Sequence, residues 1–164
     1  MRYLMKQKFF SLGGTFYIKN EQAEDVFQVD GKAFSFGHQL TFRDMSGNEL
    51  AFIKQKVFSW GHTYEIYRDE QLFAVVKKEL FSFFKQVFTI DVPGPDDLVA
   101  EGDFWSLEFT FSRSGRVVAV ASKQFFSWTD TYGVDIENGE DDVLILASAV
   151  VIDMVLAASH QHKF

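Results

Sequence analysis

"KQKVFSW" (residues 54–60) is one of four near-copies of a single phrase, the others being "KQKFFSL" (6–12), "KKELFSF" (77–83) and "SKQFFSW" (122–128). Aligning the chain on the aromatic-Ser pair brings out six copies: Phe10-Ser11, Phe34-Ser35, Phe58-Ser59, Phe81-Ser82, Trp105-Ser106 and Phe126-Ser127. Successive pairs are 24, 24, 23, 24 and 21 residues apart. A near-constant period in this range marks a repeated supersecondary unit. In every copy the residue after Ser is large and apolar: Leu12, Phe36, Trp60, Phe83, Leu107 and Trp128. Five copies also have a large apolar residue before the pair, Ala33 being the exception.

Each unit reads as a β-hairpin. In the third, "LAFIKQKVFSW" is a strand, "GHT" a turn, "YEIYRD" the returning strand and "DEQ" the next turn. The fourth runs "LFAVVKKELFS", "FFK", "QVFTIDV" and closes with "PGPDD". Turn chemistry falls where this phasing needs it, at "NEQ" (20–22), "MSGNE" (45–49), "SRSG" (112–115) and "ENGEDD" (137–142). Two strands of roughly eight residues and two short turns fill about 24 residues. Six units over residues 1–140 therefore predict about twelve antiparallel strands. The 20 phenylalanines agree, because aromatic residues suit pleated, half-buried surfaces. Apolar residues on both sides of the Phe-Ser pair break strict alternation, and a β-bulge at each copy is one way to accommodate them.

After the sixth unit the period changes. "DDVLILASAVVIDMVLAASHQ" has no Gly or Pro and is apolar on every side, with Asp141 and Asp142 suited to its N-terminus. A helix apolar all round is buried in protein or lipid. Asp153 interrupts the run after only ten uncharged residues from Val143. A membrane span needs about 18 or more, and a central Asp opposes insertion by about 3 kcal/mol. A buried protein helix over residues 141–160 is the expectation. Twelve strands enclose more space than their own side chains fill, and a helix about 10–12 Å across suits that lumen. The predicted fold is all-β with one buried helix: a closed barrel of about 12 antiparallel strands around a hydrophobic C-terminal helix, a single domain over residues 1–164. The aromatic-Ser phrase is then a strand-end device, its apolar residues wedged inward and its Ser bonding in the turn.

Twelve strands in six hairpins around a last, apolar helix resemble the tubby C-terminal-like superfamily, and within it the LURP-one-related, YxjI-like group. "KQKFFSL", "KQKVFSWGHTYEIYRD" and "VLILASAVVIDMVLAA" carry the likeness. The resemblance implies kinship with phosphoinositide-binding tubby domains and with phospholipid scramblases, which are linked to calcium and membranes. It implies no enzymatic activity and no cofactor.

Composition narrows function by exclusion. The chain has no cysteine, hence no disulfide framework, thiolate metal site or cysteine nucleophile. A formal charge of −7 argues against general nucleic-acid binding. Residues 1–90 hold 12 Lys/Arg against 10 Asp/Glu, and residues 91–164 hold 4 against 13. That bias need not make two poles, since sequence halves interleave in a closed sheet. The first ten residues carry no apolar run suited to a signal peptide, and a cytoplasmic location, peripheral to a membrane, is expected.

His38 and His62 occupy the same slot after "FSFG" and "FSWG", which points to a turn role rather than a metal. His160 and His162 form an H-x-H pair without further ligands. "SLGGT" lacks the Lys and helix of a phosphate loop, and the acids around "ENGEDD" do not follow an EF-hand pattern. No catalytic or metal-ligating set is expected. Asp153 needs a wall hydroxyl or a cation, or it stays protonated. The lysines before the Phe-Ser pairs are the candidate binding residues: Lys6 and Lys8, Lys54 and Lys56, and Lys77 and Lys78. Residues two apart share a strand face, so these could form a basic patch for anionic phospholipid headgroups; the plain alternative is a solvated outer face. The leading expectation is a non-catalytic lipid-binding module. A cytoplasmic protein-interaction scaffold with no small ligand and an unspecified protein partner comes second, and a small-ligand carrier or enzyme third.

Overall fold

The computed structural model describes residues 1–6, 14–34, 37–56, 62–79, 86–125 and 131–161. Twelve strands follow one another in chain order: β1 (Arg2–Lys6), β2 (Gly14–Asn20), β3 (Asp25–Phe34), β4 (Gly37–Asp44), β5 (Glu49–Gln55), β6 (Thr63–Arg68), β7 (Gln71–Lys78), β8 (Val87–Asp91), β9 (Leu98–Asp103), β10 (Glu108–Arg113), β11 (Arg116–Ser122) and β12 (Thr131–Ile136). Each pairs antiparallel with its neighbour in sequence, and β1 closes on β12. A short 3-10 turn (Lys123–Phe125) follows β11, and the helix α1 (Asp142–Gln161) ends the fold. Pro93 and Pro95 lie in the exposed β8–β9 connection, where their missing N–H groups interrupt no ladder.

The helix fills the barrel. From Leu144 to Leu156 every side chain is buried, with Ile145, Ala149 and Ile152 wholly inaccessible. The wall accommodates it by setting large inward residues opposite small ones: Phe42 faces Ala51, Ile66 faces Ala74, Phe88 faces Ala100, and Phe109 faces Ala121. Such alternation lets rings and helix share one lumen at crystal-like density.

The repeat is visible as a recurring irregularity. Register shifts occur after Ile18, Phe42, Ile66 and Phe111. In each, one residue of the partner strand is left over: Val26, Leu50, Phe73 and Val118. All four are apolar and pack into or against the core. These bulges draw an extra side chain inward around the N-terminal end of α1. They lie at the opposite end of the hairpins from the aromatic-Ser phrases.

One phrase copy is fully described, and it decides between a bulge and a turn at that copy. Between β9 and β10, Phe104 and Leu107 are each 1% exposed while Trp105, between them, is 41% exposed. The segment is a tight turn, closed by Leu107 N–H donating to the Phe104 carbonyl (3.1 Å). Ser106 Oγ donates to Asp103 Oδ2 (2.6 Å), and its N–H to Oδ1 (3.1 Å). Phe104 joins a ring cluster with Phe88 (5.1 Å) and Phe109 (4.8 Å). A turn, not a bulge, lets both flanking residues wedge inward, and Ser bonds as expected. The other five copies lie wholly or partly outside the described residues.

Gly102 shows how tightly β9 meets β10. Its φ is +143°, and a Cβ there would stand 2.5 Å from the Glu108 carbonyl oxygen and 2.7 Å from Phe109 Cα. Gly115 (φ +79°) has open space around it. Gly102→Ala should lower unfolding free energy by about 2–3 kcal/mol, and Gly115→Ala by about 1 kcal/mol. Urea denaturation of the two variants checks the order; equal costs would mean that the β9–β10 approach is looser than described.

Candidate basic rim

Strand direction defines two ends of the barrel. Odd-numbered strands finish, and even-numbered strands begin, at one rim; α1 enters at the other and runs toward the first. Lys6, Lys32, Lys54, Lys56, Lys77, Lys78 and Lys123 all sit at or next to the first rim. Arg2, Arg43, Arg68, Arg113 and Arg116, with Lys19, lie toward the second. The two cations have been sorted along the barrel axis.

The arginines are engaged. Arg68 grips Asp141 with two parallel bonds of 2.6 and 2.7 Å and stacks over Phe73 at 4.3 Å. Arg113 meets Glu140 at 3.1 Å, Arg116 meets Glu137 at 2.7 Å, and Arg2 meets Asp135 at 3.1 Å. Asp141 is also the N-cap of α1, accepting the Leu144 N–H at 3.1 Å. Burial raises its pKa, but the bonds from Arg68 and Leu144 outweigh that, and the carboxyl lies below its ordinary range. Tyr3 donates to Asp142 in the same first turn. Arginine, with its planar fork, does here what lysine cannot.

At the lysine rim four of the described acids accept from neutral donors. Tyr67 OH donates to Glu65 (2.9 Å), Thr89 Oγ1 to Glu79 (3.2 Å), Ser106 to Asp103, and Ser122 Oγ to Glu108 (2.9 Å). Lys6, Lys54, Lys56 and Lys77 are exposed, whereas Lys78 is half-buried on the inward-facing side of β7. Lys8 lies outside the described residues. The strands carrying these lysines are not neighbours: β6 separates β5 from β7, and β1 lies four strands from β5. Glu65 stands across from Lys54. The candidates thus form an arc around a rim rather than one compact patch. Trp105 stands on the same rim. In the sequence it reads only as a copy of the repeat, in the slot that holds Phe elsewhere.

Inside the lumen, Tyr132 OH donates to Asp153 Oδ2 at 2.7 Å, so the partner of Asp153 is a wall hydroxyl. Burial pushes the Asp153 carboxyl up to about 7, against the downward pull of that bond, and carries the Tyr132 phenol well above its ordinary value. With Asp153 4% and Tyr132 0% exposed, the pair is sealed from any substrate. Among the described residues no group of three or more His, Asp or Glu could hold a metal ion. No described helix is long and apolar enough to cross a membrane.

The sequence pattern of LURP-one-related proteins matches residues 1–153. The chain belongs to the LURP-one-related family. A Bacillus subtilis relative, "Uncharacterized protein YxjI", is 36% identical over 152 residues, covering 93% of this chain and 91% of its own. Among solved structures, an Arabidopsis thaliana protein superposes with a TM-score of 0.67 at 15% identity, over 95% of this chain and 90% of its own. At that identity the plant protein speaks for the fold. LURP-one-related membership thus accords with the closed barrel and its last helix.

Proposed function

We propose that this protein is a non-catalytic, cytoplasmic binding module that rests its lysine rim on an anionic phospholipid surface. The axial sorting of cations carries the reading: arginines are committed to ion pairs at the helix-entry end, while exposed lysines ring the other. Trp105 adds an amphipathic ring of the type that favours the headgroup level. The net charge of −7 does not forbid this, because fields fade over about 8 Å at physiological salt and the acid-rich end faces away. The filled lumen removes the usual ligand space of a barrel, which disfavours a carrier or an enzyme.

Each lysine near an anionic surface contributes about 1 kcal/mol. Changing Lys6, Lys54, Lys56 and Lys77 together to Glu should therefore weaken vesicle binding by at least a hundredfold. Lys78 is left intact because of its burial. Lys19→Glu, at the far end, should leave binding unchanged. The measurement is co-sedimentation with phosphatidylglycerol vesicles across a salt series, with and without calcium. Wild-type protein that stays in the supernatant under all these conditions would discard the membrane reading in favour of a protein-interaction scaffold.

A further inference from the structure

On the outer face of β5 and β6, away from the lumen, Phe52 and Tyr67 stand directly opposite each other in the ladder. Their centroids are 6.4 Å apart and their planes inclined at 49°. They line a groove of about 330 Å³ together with Glu49, Glu70 and Lys54. Both glutamates sit at its lower end, Glu49 opening β5 and Glu70 in the β6–β7 turn with a positive φ of 63°. Arg43, the cross-strand neighbour of Glu49, is directed elsewhere, to Asp30 (3.2 Å) and the Gly47 carbonyl (3.3 Å). Lys54 closes the upper end, opposite Glu65. Glu65 in turn accepts the Tyr67 hydroxyl, which fixes that ring over the groove.

We propose that this groove binds a soluble methylated ammonium ion of the choline type. A cation is attracted to an aromatic face within about 6 Å of its centroid. Centroids 6.4 Å apart allow one cation to satisfy that condition for both rings at once. The carboxylates of Glu49 and Glu70 supply the complementary charge, and the half-buried rings supply walls for the methyl groups. A methylated ammonium is weakly hydrated and needs no hydrogen-bond acceptor, so apolar walls whose lining carboxylates, Glu49 and Glu70, stand at the end away from Lys54 suit it better than a primary amine. The lower end of the groove points toward the arginine end of the barrel, away from the lysine rim, which favours a solute over a lipid headgroup. Lys54 is shared with the lysine rim, but the variants that test this site, Tyr67→Leu and Glu70→Gln, are not among those of the membrane test.

Titration of the whole chain with choline chloride, followed by amide NMR against sodium chloride at equal ionic strength, tests it. Saturable shifts should appear in β5 and β6. Tyr67→Leu should weaken binding about three- to fivefold, and Glu70→Gln, at an exposed turn that leaves the fold undisturbed, should weaken it as well. Ethanolamine, the unmethylated counterpart, should bind less tightly than choline. Shifts no larger than those from sodium chloride would overturn the proposal. So would equal binding by both variants, tighter binding of ethanolamine, or a response to phosphatidylcholine micelles but not to choline.

Discussion

Ala149→Arg should yield no cooperatively folded protein, and a chain stopped after Asp142 should fail in the same way. Ala149 is wholly inaccessible, within the stretch of α1 from Leu144 to Leu156 that is buried throughout. An arginine there has no room, the carboxyl one turn on, Asp153, is already bonded to Tyr132, and taking a charge out of water costs several kcal/mol per ion even after relaxation. Domains of this size are stable by only about 5–15 kcal/mol, so steric and electrostatic costs together exceed what the fold can absorb. Truncation acts on the same interface from the other side. It removes the side chains that Phe42, Phe88, Phe111 and Tyr132 pack around, and leaves twelve strands enclosing an apolar void. Soluble yield and near-ultraviolet circular dichroism are the measurements. A truncated chain that melts cooperatively like the full-length protein would show that the barrel stands without its helix.

The fold was legible because two periodicities in the sequence are physical ones. Phe-Ser pairs 24 residues apart recur because each hairpin must return to the same rim, and the run from Val143 to Leu156 is apolar all round because the barrel surrounds it. What escaped reading depends on pairing across strands. Bulges at Val26, Leu50, Phe73 and Val118 have a 23–24-residue rhythm of their own or skip one unit. Yet an apolar residue inserted by a bulge looks in sequence like any other strand residue. Spacing alone puts Lys54 and Lys56 on one face, while Glu65 opposite Lys54 cannot be seen without the register. Arginines at one end and lysines at the other are separated by strand direction, which no single hairpin reveals.

That sorting also explains why the helix-entry end needs arginine. Asp141 must serve at once as N-cap, ion-pair partner and half-buried group, and only a bidentate cation satisfies its oxygens from one direction. The far end of α1 meets no such demand from the described wall. The ion pairs that hold the start of α1 and the ring of described lysines therefore lie at opposite rims of one barrel.

Asp153→Asn should make the protein more stable at alkaline pH and remove a pH dependence that the wild type carries. The Asp153 carboxyl is raised to about 7 in the folded barrel, against about 3.9 in an unfolded chain. Between those values the folded state holds a proton that the unfolded state releases. The contribution of this group is therefore complete below about pH 4 and is lost as pH rises through about 7. Asparagine has no proton to lose, and its carbonyl oxygen still accepts the Tyr132 hydroxyl. The difference in unfolding free energy between variant and wild type should widen by about 3 kcal/mol from pH 5 to pH 8. Carboxyls with lowered pKa values, such as Asp141 and Asp30, push the opposite way but act equally in both proteins and cancel in the difference. Tyr132→Phe removes the one bond that pulls the Asp153 pKa down, so in that variant the loss of stability should extend to higher pH. Urea unfolding of the three proteins across pH measures this. Parallel curves for Asp153→Asn and wild type would mean that the carboxylate is ionised throughout and that the lumen holds a compensating cation.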